Sequence, residues 1–155
     1  MNYTVRMVRL AEWLERLDPI FRQHYGEMWE RMAGIGVKMS PYNPRVDKYL
    51  EANDGGWLLV FVLECDGKPV GYCNVYITND MHNQDLIAQE DTIYVLPEHR
   101  QGSGRLLARA VHEELKKRGV LRMHVTTSTN MRVWKWLQRL GYIDTAHQMT
   151  INLAS

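Results

Sequence analysis

Cysteine is scarce. Only Cys65 and Cys73 occur in 155 residues, too few for the disulfide framework of a small secreted scaffold. They flank Asp66-Gly67, and two reduced thiols on neighbouring strands are expected. An excess of charge is missing as well: 19 basic against 18 acidic residues leave a formal net charge of +1. That balance argues against the broad basic footprint of a general nucleic-acid binder, though not against a local cationic site. No run approaches the ~18 apolar residues of a membrane-spanning helix. The opening "MNYTVRMVRL" has arginines inside its apolar stretch and no small-residue cleavage site. A secretory signal is therefore not expected, and cytoplasm is the expected location. The six histidines show no metal-ligand spacing, so no metal is expected. Repeats, low-complexity tracts and linkers are absent, which predicts one domain over residues 1–155.

What the chain does contain is an alternation of strand and helix patterns. "YTVRMV" alternates as a strand. From Ala11 to about Met32, Leu14, Leu17, Phe21 and Met28 recur at helical intervals, with Pro19 and Gly26 predicting two helices or one broken helix. "PRVDKYLEAN" reads as a short helix ended by Gly55 and Gly56. "WLLVFVLE" is the continuous apolar run of a strand buried on both faces. Asp66-Gly67 makes a hairpin turn, and "PVGYCNVYIT" returns as its partner. "LIAQEDTIYVL" is a third strand of this set. Arg105 to Arg118 reads as a helix with a Leu107, Val111 and Leu115 stripe. "RMHVTTST" predicts a strand, "NMRVWKWLQRLG" a helix, and "YIDTA" and "HQMTINL" two closing strands. The fold class is α/β, in the α+β sense: a mixed sheet of six to seven strands flanked by about four helices.

Between the third strand and the next helix lies "PEHRQGSGRLL", a glycine-bearing turn with arginines at both ends. A strand, such a turn and a helix start make an anion site, because first-turn N–H groups lack partners and the helix dipole adds positive charge. Phosphate is the usual guest. A P-loop needs Lys and Ser or Thr after the second glycine, where Arg105 and Leu106 stand. The dinucleotide fingerprint needs a third glycine that is missing.

"YVLPEHRQGSGRLL" resembles the coenzyme A-binding segment of the GNAT superfamily of N-acetyltransferases, in which V-x-P-x-x-R runs into a glycine-rich turn. Val95, Pro97 and Arg100 match in identity and spacing. Counted from Arg100, the family's two glycine positions hold Ser103 and Arg105; counted from His99, Gly102 and Gly104 fit. "DGKPVGYCNV" is similar to the family's central hairpin, and "NMRVWKWLQRLGY" to its later N-x-x-A-x-x-L-Y-x-x-x-G-F/Y segment through Asn130, Gly141 and Tyr142. The resemblance spans nearly the whole chain. It implies a mostly antiparallel twisted sheet and acetyl-CoA as co-substrate. The pyrophosphate would lie on Arg100, Gln101, Gly102, Ser103, Gly104 and Arg105. The pantetheine arm would lie along Ile93, Tyr94, Val95 and Leu96, with Asn130 touching it or simply capping its helix. Where the family often has a tyrosine acid, seven residues after the asparagine, this chain has Leu137.

Acetyl transfer to an amine needs a neutral nitrogen, and an alkylammonium near pKa 10.4 is almost fully protonated at pH 7. Glu90 and Asp91 on the third strand are the candidate bases, with Glu90 first; alternation lets only one face the substrate. His82, in the polar bend before that strand, is a further candidate. Tyr25, Trp29 and Tyr42 either line an acceptor pocket or pack as core. The expected activity is N-acetylation of a primary amine, small-molecule or protein, with no membrane or nucleic-acid partner. A homodimer stays open. The alternative is a non-catalytic coenzyme A-binding module of the same fold.

Overall fold

The computed structural model describes residues 1–154. In chain order the elements are β1 (Tyr3–Val8), α1 (Leu10–Gly34), α2 (Val46–Asp54), β2 (Leu58–Cys65), β3 (Lys68–Asn79), β4 (Leu86–Val95), α3 (Ser103–Lys117), β5 (Arg122–His124) and α4 (Met131–Arg139). The strands form one sheet in the order β1-β2-β3-β4-β5. The first four are antiparallel, and β5 joins β4 in parallel. The chain divides into two compact units, Met1–Arg22 with Pro44–Val125, and Gln23–Asn43 with Thr126–Ser155.

The first unit holds the sheet. All of β2 is buried, as its unbroken apolar run predicts. One sheet face packs Phe61, Leu63, Cys73 and Val75 against the Leu107, Val111 and Leu115 stripe of α3. The other packs Leu58, Val60 and Val62 against Leu10, Trp13 and Leu17 of α1 and Ala52 of α2. Ile20 meets Tyr72 and Tyr94 on that same second face. Each fully buried Leu, Val, Ile or Phe among them contributes about 1.5–3 kcal/mol. β3 and β4 pair antiparallel, and Gly71 allows a close approach between them: a Cβ there would sit 2.8 Å from the Tyr94 carbonyl oxygen.

In the second unit, the Tyr25 hydroxyl donates to the Ser40 carbonyl and Trp29 Nε1 donates to the Met39 carbonyl at 3.1 Å. Tyr25 and Tyr42 stand with ring centroids 5.3 Å apart. These three aromatics therefore serve to fold the loop after α1 back on that helix.

Two expectations are corrected. The stretch from Leu10 to Gly34 is one helix with Pro19 inside it, neither two helices nor a broken one. Pro19 is exposed, so the carbonyl of Glu15 that loses its bond faces water rather than the core. The sheet has five strands, not six or seven: "RMHVTTST" is a strand only over Arg122–His124, and no strand forms after α4 among the described residues. Ser128 and Thr129 adopt positive φ of 47° and 65° and turn the chain out of the extended region, and Asn130 starts α4. In the closing segment the Asn152 side chain bridges two residues of the loop after α1: the Lys38 N–H donates to its Oδ1 at 2.9 Å, and its Nδ2 donates to the Gly36 carbonyl at 2.7 Å.

Candidate functional site

The turn after β4 is built to present backbone. Pro97–His99 make one 3-10 turn, and Gly102, at φ 88°, is the N-cap of α3. That left-handed conformation suits glycine. Beneath the turn, the buried Ser103 hydroxyl donates to the His99 carbonyl, and Tyr3 Oη lies 2.9 Å from His99 Nδ1. Strand β1 thereby braces the loop. The N–H groups of Ser103 and Gly104 open α3 and have no acceptor within the helix, whereas Arg105 N–H reaches the Gly102 carbonyl at 3.2 Å. Gln101, Gly102 and Arg105 are exposed. Arg100 behaves differently. Its Nε donates to the Val95 carbonyl at 2.7 Å, and its guanidinium lies 5.2 Å over the Tyr94 ring.

Beside this turn β4 loses its neighbour. β5 pairs only with Ile87, Ala88 and Gln89. From Glu90 to Val95 the edge of β4 away from β3 faces no strand among the described residues. Unpaired edge groups of this kind are a template for an extended guest. Tyr94 and Val95 bury their side chains on opposite faces, while Leu96 N–H bonds the Val70 carbonyl at 2.8 Å.

The two carboxylates are separated by a bulge. Asn74 pairs with Thr92 and Val75 with Glu90, so Asp91 is an extra residue without a partner on β3. Glu90 shares the face of its partner Val75, the α3 side, where it is 9% exposed. Asp91 lies on the other face and accepts a hydrogen bond from the Tyr49 hydroxyl of α2 at 2.9 Å. Burial pushes the Asp91 carboxyl above its ordinary pKa, and the Tyr49 bond pulls part of that shift back. The Tyr76 phenol is raised by burial and by the Asp91 charge; its ring stacks on Trp57 with centroids 5.5 Å apart. Cys73 is raised well above the ordinary thiol value by burial and by both carboxylates, so it is no nucleophile near neutral pH.

The same face carries two residues that the sequence reading passed over. Asn74 lies between Tyr72 and Tyr76 in the alternation of β3, and Thr92 lies two before Tyr94 in β4. Asn74 is 5% exposed, and its Oδ1 and the Thr92 Oγ1 are both buried without a hydrogen-bond partner. One signal was available: an amide in the middle of an apolar strand, "GYCNVYIT".

The remaining candidates sit elsewhere. His82 is in the exposed β3–β4 turn, its N–H donating to Asp80 Oδ1 at 2.8 Å. Asp91 lies five residues into β4, roughly 16 Å along the strand from that turn. Asn130 Oδ1 accepts from the Val133 N–H at 3.3 Å and caps α4. Leu137 is buried. No group of His, Cys, Asp or Glu among the described residues has the grouping of a metal site.

Comparison with known proteins accords with this arrangement. No curated protein sequence matches the chain. Among solved structures, a Bacillus halodurans protein superposes with a TM-score of 0.81 at 16% identity, covering 97% of this chain and 99% of that one. An aminoglycoside acetyltransferase from an uncultured soil metagenomic sample gives 0.77 at 16% identity, with 99% and 100% covered. AAC(6')-Iy, solved with a bisubstrate analogue containing CoA, gives 0.70 at 22% identity, with both chains fully covered. At these identities the structures establish the shared fold. The sequence model of the acetyltransferase (GNAT) family matches residues 11–142, and the chain is a member of that family.

Proposed function

We propose that the protein is an acetyl-CoA-dependent N-acetyltransferase that acetylates a primary amine, working as a single domain over residues 1–155. One observation carries the reading: β4 parts from β5 after Gln89, beside a helix start that presents bare amides. The residues present fit the coenzyme. A left-handed Gly102 and the first-turn N–H groups of Ser103 and Gly104 suit a pyrophosphate, with Gln101 and Arg105 beside them at the surface. The open edge of Ile93, Tyr94, Val95 and Leu96 suits an amide-bearing pantetheine arm. Arg100 anchors the end of β4 to the turn rather than reaching for phosphate. Asn130 is spent as a cap. Bound there, acetyl-CoA supplies the thioester whose carbonyl carbon the amine attacks and whose C–S bond breaks.

The chain's own part is proton handling and charge. Asp91, with Glu90 turned to the α3 side, is the base on the α1/α2 face. It takes one proton from the incoming ammonium and leaves a nucleophilic nitrogen. Its raised pKa makes it a better match for that proton than an exposed carboxylate. An edge N–H of β4 would donate to the carbonyl oxygen as negative charge develops there. Leu137 cannot protonate the leaving thiolate, which near pKa 8.5 departs as the anion while the nitrogen sheds its second proton to solvent. The structural neighbours that are aminoglycoside acetyltransferases support a small-molecule amine as acceptor.

Thiol release from acetyl-CoA over a panel of lysine, spermidine, a peptide N-terminus and an aminoglycoside tests this. Turnover with at least one amine is expected, together with thermal stabilisation by CoA. The buried Leu137 favours a second reading, a coenzyme-binding module without catalysis. CoA stabilisation without turnover of any amine gives that reading instead.

A further inference from the structure

We propose that Asn74 and Thr92, with Asp91, form a seat for the acceptor's amino group that selects primary amines. The inference rests on the acetyltransferase reading and adds to it two substrate-contacting residues. It starts from the orphaned atoms. A buried acceptor oxygen without a partner costs about 1–3 kcal/mol, and folded proteins avoid it. Here two occur on one cross-strand pair, Asn74 Oδ1 and Thr92 Oγ1, on directly opposed residues of β3 and β4. Asn74 is 5% exposed, and neither oxygen caps a turn or a helix.

Their position gives the cost a purpose. The bulge places Asp91 immediately before Thr92 and out of register with β3, on the face reached by Tyr49. Asn74 and Thr92 lie on that face by the alternation that brings Tyr72, Tyr76 and Tyr94 there. Three oxygen-bearing side chains, one of them anionic, therefore share one face of the sheet at neighbouring positions of β3 and β4. A primary ammonium carries three N–H donors, one for each oxygen. When Asp91 takes one proton, the carbonyl of Asn74 and the hydroxyl of Thr92 still hold the other two hydrogens and fix the nitrogen. A secondary amine leaves one buried oxygen unmatched, and a hydroxyl acceptor leaves two. A site built to bond a polar group discriminates strongly against analogues that lack it.

The test uses Asn74→Leu and Thr92→Val, which keep shape and remove the orphaned oxygens. Filling the site with apolar atoms should leave the melting temperature unchanged or raised, as expected for replacing unsatisfied polar groups. The KM for the fastest primary amine of the panel should rise roughly tenfold or more, with the acetyl-CoA KM unchanged. Without acetyl-CoA, that amine should raise the melting temperature of the wild type and not of either variant. An amine KM within about twofold of wild type in both variants, while acetyl-CoA still supports turnover, overturns the seat and leaves the acetyltransferase reading standing. A lowered melting temperature with unchanged amine KM makes the pair structural and also overturns it. A wild type that shows neither CoA stabilisation nor thiol release overturns the reading itself, and the seat with it.

Discussion

Tyr49 of α2 donates its hydroxyl to the Asp91 carboxylate of β4 at 2.9 Å. The bond does two things at once. It fixes the carboxylate on the α1/α2 face, and it favours the ionised form against the burial that raises the pKa. Removing it with Tyr49→Phe should therefore move the acid limb of the rate profile to higher pH. The variant should lose rate on the acid limb and recover toward wild type on the alkaline side. Profiles of kcat/KM from pH 5 to 9 check this, and a uniform loss at every pH would show that Tyr49 acts through geometry alone.

Asp91→Asn separates catalysis from stability. If Asp91 is the base as proposed, its loss should cost on the order of 10²–10⁴ in kcat at neutral pH, with CoA affinity unchanged. The stability effect runs the other way. Because the folded-state pKa of Asp91 is raised, the native chain binds more protons than the unfolded chain between the two values. The wild type thus gains stability at low pH and loses it as pH rises through the folded pKa. The asparagine variant, which still offers Tyr49 an amide oxygen, should melt higher than wild type at pH 7. The difference should shrink at pH 3–4. Thermal melts across that range measure both ends.

Two glycines report on two different constraints. Gly71→Ala brings a Cβ to 2.8 Å from a backbone carbonyl of the neighbouring strand, which cannot swing away. Spreading β3 from β4 should cost about 1–3 kcal/mol. At Gly102 nothing lies within 4 Å of the added carbon, and only the positive φ of 88° opposes it. Gly102→Ala should cost about 1–2 kcal/mol. Gly102→Glu should add little further to that loss yet abolish stabilisation by CoA, since it sets a carboxylate beside the amides that would hold phosphate. Melting curves with and without CoA distinguish the three variants.

The legibility of the chain follows where information is local. The continuous run of β2, the Leu107-Val111-Leu115 stripe and the glycine turn before α3 were readable because periodicity and turn chemistry decide them within a few residues. Pro19 predicts a break that does not occur, because its tolerance depends on which side of α1 faces water. "HQMTINL" has strand periodicity, but a strand also needs a partner elsewhere in the chain, and among the described residues this segment forms no ladder. Alternation correctly required that only one of Glu90 and Asp91 face a given side. Which one depends on a bulge opposite Asn74 and Val75, a relation between strands that neither sequence carries alone. Tyr49 and Thr92 gave no signal for the same reason.

Arg100 and Arg105 flank the same turn and should fail differently. Arg100 Nε is bonded to the Val95 carbonyl, and its guanidinium covers the Tyr94 ring, so its charge is committed to holding the turn on the end of β4. Arg100→Ala should lower stability by about 1 kcal/mol, as for a charge-assisted bond at a partly exposed site. It should weaken CoA by loosening the loop, with little change in salt dependence. Arg105 is exposed in the first turn of α3 and contributes a positive charge at the surface. Arg105→Ala should leave the melting temperature unchanged and weaken CoA mainly at low ionic strength, because screening already removes most of that contribution by 0.15 M salt. Calorimetric CoA titrations at 20 and 300 mM salt read the difference. Equal salt slopes for the two variants would mean that Arg100, too, meets phosphate directly.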